Sequence, residues 1–237
     1  MPADTERSPS VLQDRCIWVF DLDNTLYPAE CDLFAEIDQR MTDFVARFLR
    51  LPRDEARAVQ KQYYAEHGTT LNGLMSMHGM PPDEFLAHVH EIDLSPLPKT
   101  PDLASAIAAL PGHKYVYTNG SRGHATRVTD HMGLGDVFDG QFAIEDSQFV
   151  PKPNLASYQA FLEQFDLDAS QAVFFEDMAR NLLPAKEMGF ATVLVQSDKD
   201  WSHEPASARP AGIGDDLPPH IDYVTRDLTQ FVRAVVQ

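Results

Sequence analysis

The chain has 237 residues, with 19 Lys and Arg against 36 Asp and Glu and a formal net charge of −17. That length is enough for one large domain or for one core plus a smaller insert, and 43% hydrophobic with 23% charged residues is ordinary for a soluble globular protein. Such a charge excludes nucleic acid polymers and anionic membranes as partners, and an anionic substrate would need local positive charge, which a bound divalent cation supplies.

Met1 to Asp14 is polar and acidic, unlike a signal or transit peptide, and no apolar stretch approaches the roughly 18 residues of a membrane span. The expectation is a cytoplasmic protein. Cys16 and Cys31 form neither a disulfide framework nor a zinc pattern, and Cys16, just before an apolar run, is expected to be a small core residue. Ile17, Trp18, Val19 and Phe20 are continuously apolar, which predicts a strand buried on both faces, and the run stops abruptly at Asp21-Leu22-Asp23-Asn24-Thr25.

From about Glu30 to Leu97 the pattern turns helical, with Phe34, Ile37, Met41, Phe44, Val45 and Phe48 at helical spacing and prolines at 52, 81, 82, 96 and 98. About four helices are expected there, inserted after the first strand. Thr100-Pro101 opens a further helix through Leu103, Ile107 and Leu110. Strand-like runs recur at Lys114–Tyr117, Ala172–Phe175 and Thr192–Val195, and Asn154 can cap a helix carrying Leu155, Tyr158, Phe161, Leu162 and Phe165. Ser202 to His220 reads as loop, and Tyr223-Val224 with Leu228–Val235 as a last strand and helix. Alternating strands and helices predict an α/β protein whose parallel sheet is covered on both faces.

Chemistry collects at the ends of these strands. Three Asp-x-Asp triplets occur, but Asp166/Asp168 and Asp198/Asp200 fall in charged loops where a solvated turn explains them. Asp21/Asp23 alone follows a buried strand, at the sheet edge where sites form and where bare carboxylates need a compensating charge. Thr118-Asn119-Gly120 ends the next strand and precedes a helix; it reads as a phosphate cradle or as a simple turn. Lys152 lies between Pro151 and Pro153, which restrict the backbone and can aim its ammonium inward, against the ordinary reading of an exposed loop lysine. Glu176-Asp177 follows another buried strand and needs a counter-ion; without a His or Cys cluster, a hard oxygen-ligated cation such as Mg²⁺ suits it better than zinc.

The order Asp-x-Asp-x-Thr, strand-Thr, Lys-Pro, Glu-Asp resembles the haloacid dehalogenase superfamily, over roughly Cys16 to Val195. The resemblance implies a Rossmann-like core over residues 1–29 and 98–237 and a helical cap over 30–97. Asp21–Pro28, Thr118-Asn119-Gly120 and Phe174–Leu182 are most similar to the pyrimidine 5′-nucleotidase branch. It further implies that Asp21 is the nucleophile and Asp23 the acid and base, and that Lys152 holds Asp21 near phosphate. Thr118 and Asn119 would bind phosphate oxygens. Mg²⁺ would sit on Asp21, the Asp23 carbonyl and Asp177, with Glu176 direct or through water.

The implied activity is a phosphomonoesterase forming an aspartyl-phosphate, on a small phosphorylated metabolite such as a pyrimidine nucleoside monophosphate, as a monomer or homodimer. A sugar phosphomutase or sugar phosphatase is the alternative, ahead of a haloacid dehalogenase, which needs no acid two residues after the nucleophile, and of a non-catalytic regulator. In the insert, His67–Gly73 reads as a polar loop that places Thr69 and Thr70 over the site, or as an ordinary interhelix loop. His88 and His90 share no helix face, His124 and His131 lack a third ligand and are expected at the surface, and Met75, Met77 and Met80 read as packing residues. Arg122 and Arg180 are expected to pair with surface acids, with contact to a nucleotide as the alternative.

Overall fold

A computed structural model describes residues 8–202, 204–205, 209–210 and 217–237. Among the described residues six strands form one all-parallel sheet: β1 (Ile17–Phe20), β2 (His113–Tyr117), β3 (Gly140–Phe142), β4 (Ala172–Glu176), β5 (Ala191–Val195) and β6 (Tyr223–Thr225), in the order β3-β2-β1-β4-β5-β6. The apolar runs explain the centre: β1 and β4 are buried at every residue, as strands covered on both faces must be. In register, Phe20 lies beside Val116 on one side and Phe175 on the other, so Asp21 and Glu176 emerge together at the carboxyl edge.

Alternate residues of the strands build two cores. Trp18, Phe20, Val116, Val173 and Phe175 face one side, with Phe20 and Phe175 stacked at 4.6 Å. That side carries α5 (Pro101–Ala109), α6 (Arg122–Met132) and α9 (Leu228–Val235). Val19, Tyr117 and Phe174 face the other, against α7 (Leu155–Phe165) and α8 (Ala179–Met188). Asn154 caps α7 by accepting from Ala156 N–H at 3.0 Å.

Between β1 and α5 lie four helices: α1 (Leu33–Leu49), α2 (Arg53–His67), α3 (Thr70–His78) and α4 (Pro82–Val89). Their apolar residues, among them Ile37, Phe44, Leu74 and Phe85, belong to the same buried cluster as Trp18 and Phe20.

Three local expectations are corrected. Cys16 is exposed, because it stands one residue before β1 at the opposite rim of the sheet. Thr70 to Gly73 is helical rather than loop, since Thr69 caps α3 by accepting from Asn72 N–H at 3.1 Å. Gly73 fills a packing need there: a Cβ on it would come within 2.4 Å of the Tyr63 Cβ. β3, three residues long, was not foreseen; the last strand and helix stand where expected, and parts of the 202–220 stretch lie outside the described residues. Among the described residues no helix is long and apolar enough to cross a membrane.

Candidate active site

The carboxyl edge of the sheet opens into a cavity of about 390 Å³, lined by Asp21, Asp23, Thr118, Asn119, Lys152, Glu176 and Asp177 from the sheet side and by Thr69 and Thr70 from the helical insert. Its base is built around one ammonium. Lys152, 1% exposed, donates to Asp21 Oδ1 at 2.7 Å, Glu176 Oε2 at 2.8 Å and the Tyr117 carbonyl at 2.8 Å. These use all three of its protons. Its Nζ also lies 4.9 Å from the Tyr117 ring centroid and 5.1 Å from that of Phe174. Asn119 holds the lysine's backbone on both sides, accepting from Lys152 N–H at 2.8 Å and donating to its carbonyl at 3.1 Å. One Nδ2 proton and one Oδ1 lone pair of Asn119 are thereby used on the loop, which fixes the orientation of its side chain.

Asp21, Glu176 and Asp177 each bring an oxygen within 4.8 Å of the others, all buried. Three carboxylates against one ammonium leave excess negative charge. Burial first, then Glu176, raises Asp21 to about 7 despite Lys152. Burial, then Glu176 and Asp21, holds Asp177 well above the usual carboxylate range. Burial favours the neutral amine of Lys152, but Asp21 and Glu176 outweigh it and raise its pKa. A hard divalent cation fits this donor set, because it relieves the repulsion without changing a side chain. Thr25 donates to Asp21 Oδ2 at 3.2 Å and Met178 N–H to Glu176 Oε1 at 3.1 Å.

Asp23 is set differently. Its Oδ1 accepts from the Tyr27 hydroxyl at 2.6 Å and sits 2.8 Å from His124 Nε2. Burial acts to raise its pKa, but the charge and hydrogen bond of His124 and the Tyr27 hydroxyl prevail and hold it below the ordinary value. His124 is therefore not at the surface: it is 2% exposed, in the first turn of α6, whose Ser121 cap accepts from His124 N–H. His131 is half-buried, its Nε2 3.1 Å from the Leu97 carbonyl. His90, next after α4, is buried and stacked on His124 at 4.4 Å. Burial and the neighbouring His124 push it down to about 3.

Tyr27, His90 and His124 are the residues sequence reasoning missed as a group. One signal was available: a histidine three residues after the cap of a helix that begins at a strand end points back over that end.

Thr118 N–H donates to the Phe142 carbonyl at 2.9 Å, and its hydroxyl accepts from Gly120 N–H at 2.9 Å. Thr70 donates to the Gln60 carbonyl at 3.3 Å, and Gln60 donates to Asp38 at 2.6 Å. The turn before α3 reaches the sheet edge: Gly68, at φ +82°, packs so closely that a Cβ would lie 3.2 Å from Pro151 Cγ. Arg122 pairs with the surface acid Asp146 as expected. Arg180 lies 4.2 Å over the Tyr64 ring.

A parallel sheet with buried acids at its carboxyl edge has the form of an α/β enzyme site, and comparison with known proteins gives the family. Residues 18–189 match the haloacid dehalogenase-like hydrolases, and the chain belongs to that family. Phosphate metabolism protein 8 of Saccharomyces cerevisiae is 28% identical over 220 residues, spanning 85% of this chain and 67% of that protein. The structure of YfnB from Bacillus subtilis bound to magnesium covers 93% of this chain and 98% of its own, at 16% identity and a TM-score of 0.59. An L-2-haloacid dehalogenase from Xanthobacter autotrophicus with chloropropionic acid covalently bound matches at 19% identity and a TM-score of 0.55, covering 92% and 97%. Both structures share the fold.

Proposed function

We propose that the chain is a magnesium-dependent phosphomonoesterase working through an aspartyl-phosphate, with residues 1–29 and 98–237 as catalytic core and 30–97 as cap. The observation that carries this is Asp23: a second carboxylate, hydrogen-bonded and two residues from the nucleophile, is what ester cleavage needs and halide displacement does not. Support for phosphate also comes from the name of the yeast relative.

Asp21 attacks phosphorus, forming an O–P bond as the ester P–O bond breaks, and the leaving oxygen takes the bond pair together with a proton from Asp23, which takes up that proton when the bound anionic ester opposes its charged form. In the second step Asp23 removes a proton from water, whose oxygen bonds phosphorus as the Asp21 O–P bond breaks. The Thr118 hydroxyl and the main chain at Asn119, ahead of α6, hold the non-bridging oxygens. Lys152 keeps Asp21 in place beside an anionic substrate. Asp21, the Asp23 carbonyl and Asp177, with Glu176 direct or through water, would hold Mg²⁺, which when bound would supply positive charge against the carboxylates and the phosphate ester.

The substrate is a small phosphate ester, first among them a pyrimidine nucleoside monophosphate. Tyr64 and Trp201 line the cavity near Thr69 and Thr70, offering flat surfaces to a base. Phosphate release from nucleotides and sugar phosphates, with Mg²⁺ or EDTA, tests the reading on wild type and Asp21→Asn. Metal-dependent release that vanishes in the variant is expected, the ranking of esters fixing the substrate class. Halide release from 2-chloropropionate without phosphate release would overturn it.

A further inference from the structure

We infer that His124 is a positioning residue for Asp23: with Tyr27 it occupies Oδ1 of the carboxyl group, so that Oδ2 alone serves the leaving oxygen. The inference rests on the phosphomonoesterase reading and assigns a role within it. Tyr27 O–H and His124 Nε2 converge on Oδ1 at 2.6 Å and 2.8 Å. Oδ2 points to Gly120, where a Cβ would stand 3.7 Å from it. A side chain with one oxygen anchored twice is fixed in rotation, and its other oxygen is presented in one direction.

The histidine is itself held. His90 stacks on it at 4.4 Å with planes 11° apart, and His90 Nδ1 lies 2.9 Å from the Ser121 hydroxyl. Arg127, one turn further along α6, donates to the carbonyls of His90 at 2.8 Å and Ile92 at 3.0 Å. His124 Nδ1 is buried without a hydrogen-bond partner, so the ring's one polar engagement is with Asp23. A histidine kept only for packing would not be placed with one nitrogen on a carboxylate and the other facing nothing.

A proton matters most when the leaving group is a poor one. An alkoxide needs it; a nitrophenolate leaves without it. The ratio of kcat/KM for an alkyl phosphate to that for p-nitrophenyl phosphate therefore reads the acid, and kcat/KM covers only steps through phosphorylation of Asp21. His124→Ala is expected to lower kcat/KM on the alkyl ester by about 100-fold, a large part of what general acid catalysis supplies, with a far smaller loss on p-nitrophenyl phosphate. His124→Gln, which restores a donor near the Nε2 position, is expected to recover most of the ratio. Tyr27→Phe should shift it in the same direction as His124→Ala and carries the test if the alanine variant does not fold.

Equal losses on both esters, or an unchanged ratio in the folded variants, would overturn the role of His124 while leaving the phosphatase reading intact. No release by wild type from either ester would overturn that reading, and the inference with it.

Discussion

On the Asp21 side of the site, burial and Glu176 raise a carboxyl to about 7; on the Asp23 side, His124 and Tyr27 hold one below its ordinary value. The residues are the same, two positions apart at the end of one strand. What differs is which elements reach them. Asp21 is surrounded by the end of β4, which brings two acids, and by the loop before α7, which brings a single lysine. Asp23 is met by a helix and a connecting segment, which bring donors. Position at a sheet edge makes a residue available for chemistry; its neighbours from other elements decide which chemistry.

Substitution at the two aspartates is the strongest way to break that contrast. Asp21→Asn should lower turnover by about 10⁴-fold or more, the scale of losing a nucleophile. In EDTA at pH 8 the same change should raise the melting temperature, because it removes a charge that folding disfavours. Asp23→Asn should lower the melting temperature, since it weakens two hydrogen bonds. Shifts of the same sign in thermal melts would erase the distinction.

Next in size is Lys152. Lys152→Met leaves three buried carboxylates without their cation and should cost about 3–5 kcal/mol in urea unfolding of the EDTA-treated protein. A cost below about 1 kcal/mol would mean that water reaches the cluster and screens it.

The pH dependence follows from the Asp21 side. Its carboxyl binds a proton more tightly folded than unfolded, so stability present below the unfolded value of 3.8 is lost as pH rises through about 7. A bound cation competes with that proton. Magnesium should therefore raise the melting temperature more at pH 8 than at pH 5.5, and an equal rise at both would contradict the raised value.

The smallest effect is expected in the insert. Thr70→Ala removes a hydroxyl bound to the Gln60 carbonyl, and KM for the best ester should rise about fivefold with kcat held, the equivalent of one hydrogen bond. An unchanged KM would remove Thr70 from substrate recognition.

The Asp21 side was legible in the sequence because its acids each follow a continuous apolar run and its lysine is framed by Pro151 and Pro153. Asp21 after Ile17–Phe20 and Glu176 after Ala172–Phe175 announce themselves as charges that a buried strand delivers to its edge. The Asp23 side was not, because it depends on rings that meet only in the fold: His90 and His124 are 34 positions apart and belong to separate helical patterns. Asn119 was legible as a site residue, but the use of its side chain on the Lys152 backbone is a tertiary pairing across 33 positions. The start of α3 was misread because its glycine serves close contact with Tyr63 rather than a turn. β3 was too short for its three residues to show a period.

The grip of Arg127 on the carbonyls of His90 and Ile92 has a mechanical consequence. The inserted helices join the sheet through two connections, and the returning one is bolted to α6. Swinging about that leg would strain two hydrogen bonds from a single guanidinium. The outgoing leg, which contains Tyr27 and the positive-φ residues Asn24 and Asp32, is tied down as well: Lys199 donates to the Ala29 carbonyl at 3.0 Å and to the Asp32 carboxylate at 2.6 Å. Each leg is thus pinned to the core by a single cation that bridges two acceptors, and the returning pin also seats the His90 ring stacked on the histidine beside Asp23.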